Sequence, residues 1–167
     1  MNLREKILAE HSRKQCDEIV AWVGYSQKRF DELFLLFMSG EFVIVQRLAW
    51  VVSYCLEAHP KFVDKHFDDL VLQLQNPKVH NSVKRNTIRA LQHLEIPEKH
   101  KGTIMNCCFT FIEDIQEKAA VKAFSLTVLQ NLSKEYPEIL PEIRLIVQER
   151  WDVEGAAFRS RAKWFLK

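Results

Sequence analysis

Residues 83 to 94 read Val83-Lys84-Arg85-Asn86-Thr87-Ile88-Arg89-Ala90-Leu91-Gln92-His93-Leu94, and this segment has the clearest helical pattern in the chain. Its apolar or small side chains stand at positions 83, 87, 90, 91 and 94. Offsets of 4, 7, 8 and 11 from the first position place these side chains on one face of an α-helix. The pattern therefore predicts an amphipathic helix that buries Val83, Ala90, Leu91 and Leu94.

The same spacing recurs along the chain at a nearly constant interval. Matching segments start at Val45, at Val121 and, with a weaker pattern, at Phe158. The starts of the four segments are separated by 38, 38 and 37 residues. A period of this length is typical of proteins built from stacked helical repeats, in which each repeat buries its apolar face against its neighbours.

A second amphipathic segment precedes each copy, so each repeat is predicted to contain a helix A, a short turn and a helix B. Pro60, Pro97 and Pro137 stand where a new helix A should begin. Proline suits the first helical turn because it lacks only an N–H that would have no partner there. No alternating strand pattern of useful length remains. We therefore predict one domain over residues 1–167, with a capping hairpin at 1–25 and repeats at 26–59, 60–96, 97–136 and 137–167.

The helix B pattern, in which Val is followed by Lys or Arg and then by small residues before Ala-Leu, resembles a HEAT repeat of the armadillo type. The resemblance covers about residues 26–167. It implies an all-α fold, a right-handed α-α superhelix (solenoid) of helical hairpins, with a role in scaffolding and binding. It also implies that an acidic turn residue bonds a helix B arginine of a neighbouring repeat. Asp114 and Asp152 are placed to do so, whereas the first two repeats offer Glu41 and Asn76.

Composition and charge exclude several classes of protein. Hydrophobic residues make up 47% and charged residues 28% of the chain, as in an ordinary globular protein. The net charge of +2 is too small to indicate nucleic-acid binding by itself. The N-terminal residues contain no apolar core of the signal-peptide type, and no apolar run approaches the ~20 residues that a spanning helix needs. We therefore expect a cytoplasmic protein with no membrane partner.

The outward-facing positions of the B helices form the predicted binding surface. On a helical wheel Arg85, Arg89 and Gln92 lie opposite the core stripe. In an α-solenoid the B helices line the concave side, so equivalent positions should join into one groove. The predicted members of this groove are Arg47, Tyr54, Arg85, Arg89, Gln92, Gln130 and Trp164.

This groove suits a protein or peptide partner with an anionic segment. Arginine forks grip carboxylate or phosphate groups, and aromatic side chains add contact area. The alternative is that these residues are solvated and paired with nearby acids. Trp50 lies between the core stripe and the groove side, and we expect it to pack in the core.

No motif in the sequence indicates catalysis or a metal site. His59 and His66 are separated by a proline, and so are His93 and His100. The four cysteines form no CxxC pair, and no HExxH, GxSxG or P-loop occurs. We therefore predict buried, reduced thiols, no catalytic residue, no metal, no cofactor and no enzymatic activity.

Three functions remain open at this point, and the first is favoured. It is a non-catalytic scaffold that binds a protein or peptide through the B-helix groove. The second is nucleic-acid binding, as in the DNA-alkylation-repair branch of HEAT-like proteins, with Arg47, Arg85, Arg89 and Lys122 on phosphates. The B helices, however, offer no groove-facing acid. The third is a lyase of the adenylosuccinate lyase type, but the Ser-Ser-x-Met-Pro-x-Lys loop of that superfamily is absent and the chain is too short.

Overall fold

The computed structural model describes residues 1–167, which form ten α-helices and three short 3₁₀ segments without any β-strand. The predicted all-α fold class is confirmed. The chain divides into two compact units, Met1–Glu95 and Ile96–Lys167. This division falls one residue before the predicted boundary between the second and third repeats. The repeat boundaries themselves and the single domain stay predictions.

The first unit contains α1 to α6, at Leu3–Ala9, Arg13–Val23, Gln27–Phe37, Phe42–Ala58, Phe67–Gln75 and Asn81–Leu91. A 3₁₀ segment, Pro60–His66, leads into α5. The first three helices begin at side-chain caps, since Asn2, Ser12 and Ser26 each accept a hydrogen bond from a backbone N–H of the first turn. Gly24 ends α2 with a φ of +50°, a conformation that strains residues with a side chain.

The long helix α4 is the centre of the first unit. It packs against α1, α2, α3 and α6. Its side chains Ile44, Leu48, Val52 and Leu56 recur at helical spacing and are at most 3% exposed. Burying a side chain of this size stabilises a fold by about 1.5–3 kcal/mol. This stripe therefore determines where the surrounding helices lie.

The second unit contains α7 to α10, at Glu98–Glu113, Ala119–Leu132, Leu140–Arg150 and Ala156–Ala162. The 3₁₀ segments Pro137–Ile139 and Lys163–Leu166 precede α9 and follow α10. The central helix is α8, which packs against both α7 and α10. Like α4, it is a predicted helix B, and its apolar residues Val121, Val128 and Leu129 are buried.

A buried ion cluster joins α8 to the end of α9. The Lys122 side chain is 2% exposed, and its ammonium lies 2.7 Å from Glu154 Oε1. Arg150 donates from Nε to the same oxygen at 2.9 Å. Burial raises the pKa of the Glu154 carboxyl, but hydrogen bonds from Lys122 and Arg150 lower it more, so the net pKa lies below the usual range. Glu154 is therefore a carboxylate at neutral pH.

This cluster corrects the expected acidic partners of the helix B cations. Asp114 Oδ1 instead accepts a hydrogen bond from the backbone N–H of Gln116 at 2.8 Å, within its own turn. Asp152 is exposed. The partner is Glu154, two residues further on, because the turn after α9 brings it back over Arg150, whose carbonyl accepts its backbone N–H at 3.0 Å.

Burial along α6 agrees with the sequence pattern except at its end. Val83, Ala90 and Leu91 are each 1% exposed, so their predicted burial is confirmed. Leu94 is only half-buried because α6 ends at Leu91 and Leu94 lies in the following turn. The helix also buries Ile88, which lies off the predicted stripe. α6 buries side chains on two sides because it packs against both α4 and α5.

Truncating Leu91 should destabilise the protein strongly. Leu91→Ala removes a filled core position and leaves a cavity, so we expect the free energy of unfolding to fall by about 2–5 kcal/mol. The matched control is Leu72→Ala on α5, because Leu72 is 66% exposed; its cost should stay within about 0.5 kcal/mol. Urea unfolding followed by circular dichroism measures both. Equal costs for the two variants would contradict the packing of α6.

Removing Glu154 should leave Lys122 charged and buried without a partner. We expect Glu154→Ala to lower the free energy of unfolding by about 3–5 kcal/mol. Glu149→Ala is the matched control, since Glu149 lies exposed near the end of α9, just before the turn that carries Glu154. Adding Lys122→Met to Glu154→Ala should recover part of the loss because it removes the unpaired charge. A double variant as unstable as Glu154→Ala alone would show that charge burial is not the cause.

Candidate functional site

The predicted groove residues divide between the two units. Arg47 and Tyr54 lie on α4, Arg85 and Arg89 lie on α6, and Gln92 follows α6, all in the first unit. The second unit contains the remaining members, Gln130 on α8 and Trp164 in the last 3₁₀ segment.

The Arg47 guanidinium binds the C-terminal end of the neighbouring helix α1. Its Nη1 donates to the carbonyl oxygens of Ile7, Leu8 and Glu10 at 2.8, 3.1 and 3.3 Å. The last carbonyls of a helix have no partner within the helix, and the helix dipole makes this end negative. The guanidinium of Arg47 thus caps α1, so the structure assigns it an internal role.

Arg89 has an acidic partner within the protein. Its Nη2 lies 2.5 Å from Glu57 Oε2 at the end of α4, and its Nη1 donates to Ser53 Oγ at 3.1 Å. The guanidinium carbon also lies 4.2 Å from the centroid of the Tyr54 ring. Internal pairing, the alternative left open by the sequence, therefore holds for this arginine.

Tyr54 contacts a second arginine that the sequence did not indicate. Arg13 on α2 places its guanidinium carbon 4.4 Å from the Tyr54 ring centroid and donates from Nη1 to Tyr54 Oη at 2.7 Å. Its Nε lies 2.9 Å from Asp17 Oδ1 one turn along α2. The only sequence feature at Arg13 was an ordinary i, i+4 ion pair on a surface helix, so nothing linked it to the repeats.

Arg85 differs from its neighbours because its exposed guanidinium has neither an ion pair nor a hydrogen bond. It lines a pocket of about 280 Å³, together with His11, Gln46, Trp50, Ser82 and Asn86. Trp50 is only half-buried, so the prediction that it packs in the core is wrong. Its side chain instead lines this pocket. The ring stands edge-on to His11, with centroids 5.9 Å apart.

These side chains form one surface, which we call the arginine–aromatic patch: Arg13, Trp50, Tyr54, Arg85 and Arg89. Three guanidinium groups face two paired carboxylates, those of Asp17 and Glu57. The patch therefore carries about one net positive charge, and its unpaired cation is Arg85.

The other predicted groove residues have separate surroundings. Gln92 donates from Nε2 to the backbone carbonyl of Arg89 at 3.0 Å. Gln130 is half-buried on α8. Trp164 is 38% exposed, and its ring stands edge-on to Phe165 with centroids 4.9 Å apart.

Lys122 cannot contact phosphates as the nucleic-acid hypothesis expected. Its side chain is 2% exposed and its ammonium bonds Glu154. The nucleic-acid hypothesis assumed that Lys122 lies at the surface, whereas the carboxylate that allows its burial lies 32 residues away.

A carboxylate–imidazole pair lies elsewhere in the first unit. His66 Nε2 is 2.7 Å from Asp31 Oδ1, and the imidazole stacks on Phe34 with centroids 4.5 Å apart. Lys65 Nζ and Gln27 Nε2 donate to the same carboxylate at 2.5 and 2.8 Å. Partial burial raises the pKa of Asp31, but these hydrogen bonds lower it more, to about 2. The group ties the 3₁₀ segment to α3.

The remaining reactive side chains are thiols: Cys16, Cys55 and Cys108 are buried as predicted, whereas Cys107 is only half-buried. Burial raises the pKa of Cys16 to about 11 and that of Cys55 to about 12. It also raises the pKa of Cys107 and Cys108 in the second unit. No group of three or more His, Cys, Asp or Glu side chains is arranged to hold a metal ion. None of the helices combines the length and the apolar character that a membrane span requires.

The Asp31 contacts should make stability depend on acid pH. Because the pKa of Asp31 is lower in the folded state, the carboxylate stabilises the fold above about pH 4, and this contribution is lost as the pH falls towards 2. It should amount to about 1–2 kcal/mol. Asp31→Asn should therefore lower the free energy of unfolding near pH 7 and approach wild type near pH 2. The control is Asp64→Asn, since Asp64 is exposed. Parallel pH profiles for wild type and Asp31→Asn would contradict the assignment.

Comparison with known proteins identifies the family of the chain. A family model described as a HEAT repeat domain matches residues 3–160. No curated protein matches the chain. No solved structure matches it either. The match includes the helices that carry the arginine–aromatic patch as well as the buried Lys122 cluster, and it agrees with the resemblance expected from the segment at 83–94. The chain belongs to the HEAT repeat family.

Proposed function

We propose that this protein is a non-catalytic binding module that recognises an acidic segment of a protein or peptide through the arginine–aromatic patch. HEAT repeats commonly mediate protein interactions and are typically non-catalytic, which supports the general role. The observation that carries the finer proposal is Arg85, an exposed guanidinium without an internal partner among arginines that have one. We propose a cytoplasmic location and no cofactor for this role.

The chemistry of the patch favours a carboxylate-bearing partner. A free arginine offers a planar fork of N–H donors that matches a carboxylate in two parallel hydrogen bonds. Arg13 and Arg89 are held by Asp17, Glu57 and the Tyr54 ring, so they are already ordered before a partner arrives. Ordered side chains lose little conformational entropy on binding, which leaves more of the interaction energy for affinity.

The aromatic members supply the apolar part of the contact. Trp50 and Tyr54 are half-buried, so part of each side chain stays open to solvent. Tyrosine, tryptophan and arginine are the residues that most often dominate binding energy at protein interfaces. Gln92 stays a proposed additional contact of the first unit, and Gln130 and Trp164 stay proposed binding residues of the second unit by itself. The capping role of Arg47 removes it from the proposed surface.

Nucleic-acid binding is the less supported function. Such binding draws its affinity from several cations on phosphates. Of the four cations expected to do this, Lys122 is buried, Arg47 caps α1 and Arg89 pairs with Glu57. Only Arg85 is left with a free guanidinium, and the patch carries about one net positive charge.

Reversing the charge of Arg85 should weaken binding of an acidic peptide. A fluorescein-labelled oligoglutamate peptide is the probe, and fluorescence anisotropy gives its Kd. We expect Arg85→Glu to raise Kd at least about tenfold, which corresponds to roughly 1.4 kcal/mol. Lys78→Glu makes the same charge change at an exposed site between α5 and α6 and should alter Kd less than about twofold.

Two results would contradict the proposal. Equal weakening by Arg85→Glu and Lys78→Glu would show attraction by net charge alone, without a defined surface. A single-stranded oligonucleotide of matched charge that binds more tightly than the peptide, and that loses affinity in Arg85→Glu, would favour the nucleic-acid function instead.

A further inference from the structure

The pocket beside Arg85 is formed by residues from three places in the first unit. His11 comes from the linker between α1 and α2, and Gln46 and Trp50 come from α4. The side of α6 contributes its remaining lining residues, Ser82, Arg85 and Asn86. We refer to these six residues as the Arg85 pocket.

Two polar residues of the Arg85 pocket are used within the protein. Ser82 Oγ bonds His80 Nδ1 at 2.8 Å and lies 3.4 Å from the carbonyl oxygen of Gln46. Asn86 is 4% exposed, donates from Nδ2 to the carbonyl of Ser82 at 2.8 Å, and accepts a hydrogen bond from Ser53 at 3.3 Å. These hydrogen bonds hold Ser82 and Asn86 in place. Specificity for a ligand therefore depends on the other polar side chains of the pocket.

Three polar side chains of the pocket have no hydrogen-bond partner. They are the guanidinium of Arg85, the side-chain amide of Gln46 and the imidazole of His11. Arginine is a donor only, and both other groups can donate an N–H. No aspartate or glutamate lines the pocket. A site with one cation, further donors and no acid is complementary to an oxyanion.

The size and wall of the pocket narrow the ligand further. A volume of about 280 Å³ accommodates a side-chain-sized group and is smaller than most cofactor and drug sites. The indole of Trp50 gives the pocket an apolar wall on one side. We infer that the Arg85 pocket anchors a single oxyanion of the bound segment, either an aspartate or glutamate carboxylate or the phosphate of a phosphorylated side chain.

This inference rests on the proposed function and adds an anchoring group to it. The arginine–aromatic patch would attract an acidic segment through its field, whereas the Arg85 pocket would hold one acidic group by hydrogen bonds. The proposed function and the pocket inference can be tested separately, because Gln46 contributes to the pocket but carries no charge. Gln46→Leu removes the amide, yet it leaves the net charge of the patch unchanged.

The test compares three peptides of one sequence that carry glutamate, phosphoserine or serine at the central position, with inorganic phosphate as the smallest probe. The ¹⁵N-labelled full chain is titrated while the Trp50 indole N–H and the Arg85 Nε–H resonances are followed. We expect both anionic peptides and phosphate to shift these two resonances, whereas the serine peptide should not. The Trp22 indole, which lies beside Arg29, serves as the internal reference. Whichever anionic peptide binds at least about tenfold more tightly identifies the source of the oxyanion.

The variants decide between the pocket and the patch. Gln46→Leu should raise the Kd of the tighter anionic peptide at least about fivefold, whereas Gln75→Leu, at an exposed position on α5, should leave it unchanged. Circular dichroism checks that both variants fold. If Gln46→Leu leaves Kd unchanged while Arg85→Glu raises it, the pocket inference is overturned and the proposed function stands. If none of the anionic probes binds wild type, both are overturned.

Discussion

Burial of the apolar stripe on α4 is the constraint on which the first unit depends. A helical hairpin cannot cover its own apolar face. Ile44, Leu48 and Leu56 must therefore be enclosed both by helices that precede α4 in the chain and by helices that follow it. Each residue of a helix is rotated about 100° from the previous one, so fixing the stripe also fixes where the other side chains of α4 emerge. The packing of the core therefore determines where Arg47, Trp50 and Tyr54 reach the surface. The arginine–aromatic patch is thus a by-product of packing that is available for binding.

Much of the fold could be predicted because the helical repeat is strong. A 38-residue period with one buried stripe per copy identifies the B helices without knowledge of any contact. The ends of helices were less predictable. Leu94 continues the pattern, but α6 stops at Leu91, since the end of a helix depends on the turn that follows it. Pro60 marks the start of a helical segment correctly, yet the segment is 3₁₀ as far as His66, whose imidazole bonds Asp31 on another helix.

The site was less predictable, because periodicity shows which side chains leave the core but not what they meet. The partners of Arg47 lie up to 40 residues away, and that of Arg89 lies 32 residues away. Lys122 shows the same limit in reverse, since a lysine can be buried wherever a distant carboxylate compensates its charge. Arg13 belongs to the hairpin before the first repeat, so no comparison between repeats could reveal it. Arg85 is the one arginine of the predicted groove that has no internal partner, and its role in binding stays a prediction.

The three buried cysteines, Cys16, Cys55 and Cys108, can report when the cores that enclose them unfold. Thiolates react with alkylating reagents and oxidants, whereas thiols do not, and access to the sulfur is a further requirement. With their pKa values raised by burial, Cys16 and Cys55 are inert while the first unit is folded. Cys108 has the same protection in the second unit. Pulse alkylation followed by peptide mass spectrometry would therefore time the exposure of each core separately, without any engineered label, and would reveal whether the two units unfold in one step or in two.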